Sequence, residues 1–337
     1  MTSPEFIVWL QESLEWLTPV MAIFTFLGDE EFYVLVFPLL YWSISPRVGL
    51  RVGLVLLVSA GLNGTLKLVG TTPRPYWVSP DVVAHAAESS YGVPSGHAQN
   101  AAAVWGRLAA VSRRPAVWIA AAVLILLIAT SRWVIGVHFP LDTLAGLGVG
   151  AALLAAFLLL EPRLGPRLVA LPGWGQLAVG LAASLALIGL SVLATASPWA
   201  GEPPQAWIDQ ATAATGEPEP IDPTTRRGLM VPTGALFGLV AGLVVLRRFG
   251  GFDAAGSALR RAARYPLGLV GVVVLYLGLD AVLPGGDDVL PLALRWGQFA
   301  LVGVWIGGLA PWLFVRARLA TPAAASASAT SAGAGEA

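Results

Sequence analysis

Residues 48–75, VGLRVGLVLLVSAGLNGTLKLVGTTPRP, join an apolar run to a short cationic segment. The run over 48–67 is long enough to cross a bilayer, since about 20 helical residues cover the hydrocarbon core. It ends on Lys67, the only lysine among the 20 basic side chains of the chain. Arg74 follows between Pro73 and Pro75, which restrict its backbone. Where arginine otherwise supplies the positive charge, a single lysine at the mouth of a span reads as chemistry rather than filler.

The rest of the chain extends the first half of that pattern. Its 337 residues are 56% hydrophobic and 12% charged, with a mean hydropathy of +0.73. A soluble domain of this size needs more charge, so the chain reads as an all-α, polytopic membrane helix bundle. Spans are expected near 10–28, 31–45, 48–67, 97–112, 115–133, 141–160, 174–195, 229–247, 265–283 and 294–315. Each should be helical, because backbone in lipid must satisfy its own hydrogen bonds. The first has a clean apolar run only from Leu17 to Leu27, behind Gln11, Glu12 and Glu15; an interfacial amphipathic helix is its other reading.

Composition also excludes several functions. Net charge is zero and no basic run appears, which argues against a nucleic-acid partner. Cysteine is absent, so disulfides, thiolate catalysis and cysteine metal sites fall away. The opening MTSPEFIVWLQESLEWL has neither a positive n-region nor a small-residue cleavage site and does not read as a cleaved signal peptide.

Arginine placement sets the expected orientation. Arg47 and Arg51, Arg113 and Arg114, Arg163 and Arg167, Arg247, Arg248, Arg260, Arg261 and Arg264, then Arg316 and Arg318 fall in alternate loops, which the positive-inside rule makes cytoplasmic. The intervening loops hold acids: Asp29, Glu30 and Glu31 in one, and Glu202, Asp209, Glu217, Glu219 and Asp222 in another. The cationic segment at Lys67–Pro75 lies on this acidic, extracytoplasmic face of a cell membrane.

Two further stretches share that face, Tyr91–His97 (YGVPSGH) and Ser131–Asp142 (SRWVIGVHFPLD), and they hold two of the three histidines. Pro94-Ser95-Gly96-His97 opens an apolar run, so Ser95 is placed to cap a helix whose free N–H groups and positive dipole face an anion. Gly96 removes the side chain that would block close backbone approach, and His97 stands beside the anion, able to move a proton. Pro140 suits a first helical turn, with His138 just before it and Asp142 inside it. A carboxylate four residues on can take a hydrogen bond from one imidazole nitrogen, leaving the other as a nucleophile. Arg132 ends the preceding span. Lys67, Arg74 and Arg132, one helix N-terminus, two histidines and one aspartate make a cage for a tetrahedral anion. No cluster of ligands is left for a metal, and no cofactor is expected. The residues alone leave open which histidine attacks.

The pattern Lys-x6-Arg-Pro, Pro-Ser-Gly-His and Ser-Arg-x5-His-x3-Asp resembles the three signature motifs of the type 2 phosphatidic acid phosphatase superfamily. That superfamily includes lipid phosphate phosphatases, undecaprenyl-diphosphate phosphatases and vanadium haloperoxidases. The resemblance covers about residues 10–160 and implies a six-helix core. It also implies roles: His138 attacks phosphorus to give a phosphohistidine, Asp142 holds and polarises it, and His97 protonates the leaving oxygen. Lys67, Arg74, Ser95, the Gly96 backbone and Arg132 then bind phosphate. The implied substrates are a polyprenyl diphosphate, phosphatidate or phosphatidylglycerophosphate, presented from membrane lipid. A lipid phosphotransferase, or a lipid or anion transporter using the same cage, are the alternatives.

Outside the motifs, His85 is expected to be solvent-exposed, Gln99 to pack against another helix, and Arg107 to snorkel toward the cytoplasm. Asp280 and Arg295 are expected to pair or to mark a second polar cavity. Residues 161–320 read as about four further helices with an extracytoplasmic loop at 197–228, taken as a solvated connector ahead of a lid or headgroup selector. Their Gly, Ala, Leu and Val content suits close helix packing or a homodimer surface. The small polar tail at 321–337 is expected to be disordered.

Overall fold

The computed structural model describes residues 3–112, 114–196, 201–218 and 221–323. These form α1 (Pro4–Ser13), α2 (Thr18–Phe26), α3 (Glu30–Leu39), α4 (Pro46–Gly70), α5 (Pro75–Val78), α6 (Gly96–Ala109) and α7 (Pro115–Val134). There follow α8 (Pro140–Ala170), α9 (Gly173–Thr195), α10 (Gln205–Thr215), α11 (Arg227–Arg248), α12 (Ala258–Val273), α13 (Val289–Val304) and α14 (Ala310–Arg316). One isolated bridge joins Asp253 to Thr321 at the start of the expected tail, whose residues 324–337 lie outside those described.

Among the described residues, 6 helical segments are long and apolar enough to cross a membrane: Pro46–Val78, Pro115–Val134, Pro140–Ala170, Gly173–Thr195, Arg227–Arg248 and Val289–Arg316. The protein is therefore a multi-pass, all-α membrane bundle. Helices also stand at the other four expected spans, but they are shorter or broken. The stretch expected at 10–28 divides into α1, a 3-10 turn at Glu15–Leu17, and α2, which Pro19 opens in its first turn. That at 31–45 carries Pro38 inside α3 and passes into a π turn at Leu40–Ile44, as expected where a proline removes a ladder bond. That at 97–112 is the 14-residue α6, and that at 265–283 is α12 running into a π turn at Val274–Gly278.

The chain divides into two compact units. The first comprises Met1–Tyr33, Ser59–Leu160 and Gly189–Thr225. At its core Ile7 of α1, Tyr76 and Trp77 of α5, and Val82, Tyr91, Ile135, Val137 and Phe139 from the loops pack with Ala211 of α10 and Ile221. Gln11 is buried against this cluster: its amide donates to Val83 O (2.8 Å) and Val134 O (3.0 Å), while its oxygen accepts from Val83 N (3.1 Å). A residue that reads as polar flanking sequence is thus a clamp between α1, the 79–95 loop and the end of α7.

The second unit comprises Val34–Val58, Glu161–Ile188 and Arg226–Ala337. Here α11 and α13 touch backbone to backbone. A Cβ on Gly234 would lie 2.3 Å from Trp296 O, one on Gly238 1.9 Å from Ala300 O, and one on Gly242 2.8 Å from Gly308 N. Glycine at every fourth residue is what such a crossing requires. The π turn at Trp305–Leu309 frees carbonyls from the helical ladder, and Trp42 Nε1 donates to Ile306 O (2.9 Å) while Tyr41 Oη donates to Gly307 O (3.1 Å). Arg264, fully buried, donates to the carbonyls of Trp42, Ala254, Ala255 and Leu319; it staples the fold instead of marking a solvated loop.

Candidate active site

All three motif stretches belong to the first unit, and glycines bring them together. A Cβ on Gly146 of α8 would lie 2.4 Å from Ser95 O, and one on Gly150 2.3 Å from Gln99 O, so α8 lies directly on the backbone of α6. Their N-termini are therefore neighbours, and Ser95 N donates to Asp142 O at 2.9 Å. Ser95 is the N-cap of α6, its Oγ accepting from Ala98 N. Asn63 of α4 donates to Gln99 Oε1 (2.9 Å) and Pro94 O (3.2 Å), and Gln99 donates onward to Ser59 O (2.8 Å). Gln99 is thus a packing residue, as expected.

His138 and Asp142 pair as the i, i+4 spacing predicts. Nδ1 lies 3.1 Å from Asp142 Oδ2, which also accepts from Phe139 N at 2.9 Å, and both side chains are 1% exposed. The other imidazole nitrogen, Nε2, lies 3.3 Å from Arg74 Nη1. Burial first, then the charges of Arg74, Lys67 and Arg132, hold the His138 imidazole well below its ordinary range. The ring is therefore neutral at pH 7, with one nitrogen tied to a carboxylate and the other among cations.

Arg74 is fully buried and aimed by carbonyls: Nε donates to Ser90 O (2.6 Å), Nη1 to Val137 O (3.0 Å) and Nη2 to Tyr91 O (3.3 Å). Lys67 Nζ donates to Ser90 Oγ at 2.7 Å. Between the guanidinium groups stands a carboxylate that the motif reading did not include. Glu88 accepts from Arg74 Nη2 at 3.3 Å and also from Arg132 Nη2. Burial alone would push the Glu88 carboxyl up, but the charges of Arg74, Arg132 and Lys67 outweigh it and hold it well below the usual carboxylate range. Arg132 is 1% exposed, and its Nε has no hydrogen-bond partner among the described residues. That buried donor is available to an anion, and an unused donor in such a place is costly. Ser131 of the third motif is turned elsewhere, its Oγ lying 2.8 Å from both Thr25 Oγ1 and Ile128 O.

His97, at the second position of α6, has its Nε2 2.6 Å from Asp29 Oδ1. The charges of Arg132 and Glu88 reach its ring, and its own charge reaches His138. The eight expected site residues Lys67, Arg74, Ser95, Gly96, His97, Arg132, His138 and Asp142 are thus brought together within the first unit. Glu88 and Asp29 are the additions. Glu88 shares a Ser/Ala/Pro-rich loop with Asp81 and has no motif spacing to betray it; Asp29 read only as a marker of membrane sidedness. Among the described residues no group of three or more His, Cys, Asp or Glu side chains converges as metal ligands would.

Other expectations divide. His85 is exposed, and Arg295 pairs with Asp280 at 3.0 Å within the second unit. Arg107 does not snorkel: it is 5% exposed. The segment at 197–228 is more than a connector. Residues 197–200 and 219–220 lie outside those described, but α10 carries Trp207, Ile208 and Ala211 against the apolar cluster. Trp207 stands 6.3 Å from Trp77 between ring centres, and Asp222 N donates to Ser89 O at 3.0 Å, beside Glu88. Apolar residues on one face of this short helix explain why Gln205–Thr215 packs against the unit.

The PAP2 superfamily profile matches residues 48–166, and a profile described as PAP2 superfamily phosphatase, transmembrane extension, matches residues 230–322. The second match corrects the view that the resemblance ends near residue 160. The chain is 32% identical over 154 residues to phosphatidylglycerophosphatase B of Bacillus subtilis (strain 168), covering 41% of this chain and 72% of that one. It is 33% identical over 169 residues to glucose-6-phosphatase 3 of Bos taurus and of Homo sapiens, covering 43% of this chain and 49% of each relative. The match thus spans about half the length of those two relatives. No solved structure matches. Three motifs gathered in one unit, with both profiles matched in order along the sequence, place this chain in the PAP2 superfamily, carrying that family's transmembrane extension.

Proposed function

We propose that the protein hydrolyses the phosphate ester or diphosphate of a membrane lipid through a phosphohistidine at His138, from the extracytoplasmic face. The observation that carries this reading is the buried His138–Asp142 pair, whose second nitrogen lies 3.3 Å from Arg74 Nη1 with the charges of Lys67 and Arg132 also acting on the ring. Simple anion binding needs the cations but not an oriented neutral imidazole among them.

In the proposed reaction His138 Nε2 forms a bond to phosphorus as the bond to the leaving oxygen breaks. The electron pair goes to that oxygen, which takes a proton from His97. Lys67, Arg74, Arg132 and the N-terminus of α6 at Ser95–Gly96 hold the equatorial oxygens, where charge spreads in the transition state. Asp142 stabilises the positive charge that His138 acquires. A water then gives its proton to His97 and attacks phosphorus, and the P–N bond breaks to free phosphate and restore neutral His138. The relatives' names, a phosphatidylglycerophosphatase and a glucose-6-phosphatase, support phosphate-ester hydrolysis, and the membrane bundle supports a lipid substrate. The motif residues are read as one six-helix core over 1–160, the remainder as supporting helices.

The test is phosphate release by detergent-purified protein from phosphatidate, phosphatidylglycerophosphate and polyprenyl diphosphates, with and without chelator. The reading expects release that survives chelation and is lost in His138→Ala. Wild-type rates in that variant would reject the phosphohistidine, and loss on chelation would reject metal independence. Phosphate appearing on an added alcohol instead of water would identify a phosphotransferase.

A further inference from the structure

Asp29 lies outside all three motif stretches, yet its carboxylate oxygen lies 2.6 Å from His97 Nε2. The turn that carries it is fixed from several sides. Gly28 N donates to Thr25 O (2.8 Å) and Asp29 N to Phe26 O (3.1 Å). Thr25 Oγ1 lies 2.8 Å from Ser131 Oγ, which ties the end of α2 to the helix that delivers Arg132. A Cβ on Gly28 would lie 3.0 Å from His97 Cδ2 and 2.6 Å from Ile128 Cγ2. Glycine here lets the turn pass against the imidazole ring, so the ring is held at its edge as well as at its nitrogen.

We propose that Asp29 is the positioning residue of His97, holding Nε2 so that Nδ1 faces the leaving oxygen and favouring the imidazolium from which that nitrogen donates. The site then contains two Asp–His dyads of opposite sense: Asp142 takes Nδ1 of His138 and frees Nε2, while Asp29 takes Nε2 of His97 and frees Nδ1. This rests on the phosphatase reading above. As the bond from phosphorus to the leaving oxygen breaks, the Nδ1 proton passes to that oxygen. The ring returns to the neutral tautomer, its remaining proton on Nε2 and bonded to Asp29. The charged groups acting on His97 are Asp29 from the α2–α3 turn, Glu88 from the 79–95 loop and Arg132 from α7, with neutral His138 nearby. Burial of the ring and the charge of Arg132 oppose the imidazolium, and the two acids favour it; Asp29 is the acid in direct contact.

The test is Asp29→Asn, which keeps size and removes charge. With three histidines in the chain, the His97 ring can be followed by NMR of histidine-labelled protein, assigned through His97→Gln. Loss of an adjacent opposite charge should lower the His97 titration midpoint by about one pH unit. Hydrolysis of an alkyl phosphate should fall about tenfold or more, its alkaline limb moving to lower pH. Hydrolysis of p-nitrophenyl phosphate, whose leaving group departs without a proton, should change little, and Asp29→Glu should recover part of the alkyl-phosphate rate. An unmoved midpoint, or equal losses on both substrates, would overturn the proposal. A wild-type protein inactive on every phosphate ester would overturn the phosphatase reading instead, and the midpoint would still decide whether Asp29 governs His97.

Discussion

Arg74 Nη2 lies 3.3 Å from Glu88 Oε2, so a guanidinium of the anion cage is bonded to a carboxylate of the protein itself. Glu88 also accepts from Arg132, and thus bridges two of the three cations assigned to phosphate. A phosphate entering the cage meets donors already engaged by an anion. Glu88→Gln should keep the bridge's shape and remove its charge, so inorganic phosphate should inhibit the variant about tenfold more tightly, equivalent to about 1.4 kcal/mol. Unchanged or weaker inhibition would show that Glu88 does not oppose anion binding.

The same carboxylate sets an acid limit on stability. Its folded range lies below its unfolded one, so its contribution is present in full above the unfolded value of about 4.3 and fades as pH falls toward the folded value. Thermal unfolding in detergent should therefore be steeper in pH below about 4.5 for the wild type than for Glu88→Gln. Parallel profiles would remove Glu88 from this role.

His138 is displaced in the same direction but with a different consequence. Its neutral form is the proposed nucleophile, and its titration lies well below the ordinary histidine range. Protonation of His138 should therefore not reduce kcat/KM on going from pH 7 to pH 6, where an unperturbed imidazole of pKa about 6.5 would already be mostly charged. A His138 ring titration centred near 6.5, read by NMR of histidine-labelled protein, would contradict the buried, cation-flanked placement.

Gly136 links the third motif to the fold. Its φ is +82°, and a Cβ there would stand 2.3 Å from Val83 O and 2.9 Å from Gln11 Nε2. Gly136→Ala should cost about 1–2 kcal/mol from conformation alone and more from the clash, lowering both melting temperature and turnover. Gly148→Ala on α8, where a Cβ would meet nothing within 4 Å, is the control and should be neutral or stabilising by up to about 1 kcal/mol. Equal effects at the two positions would refute the geometric argument.

Much of this was legible in the sequence because the decisive contacts are short-range or helix-terminal. The His138–Asp142 pair follows from four-residue spacing across a helix start, the Ser95 cap from Pro-Ser-Gly before an apolar run, and six spans from hydropathy. What escaped depends on contacts between distant segments. Gln11 is 72 residues from Val83, Asp29 is 68 from His97, and Glu88 meets Arg132 across 44; no local period records these. Hydropathy also overstates α3 and α12, since it counts apolar residues without seeing Pro38 or the π turns that interrupt the ladder. The order at α10 was hidden because Trp207 and Ile208 sit among acids and prolines that read as solvated loop.

The central claim is a covalent bond between phosphorus and His138. Purified protein would be mixed with a lipid phosphate labelled on phosphorus, quenched in base within milliseconds to seconds, and its peptides mapped. The account predicts alkali-stable, acid-labile label on the peptide containing His138, accumulating in His97→Gln if dephosphorylation is slowed more than transfer, and absent from His138→Ala. A wild-type enzyme that turns over fully with no label on that peptide, or a His138→Ala variant that still acquires one there, would contradict it.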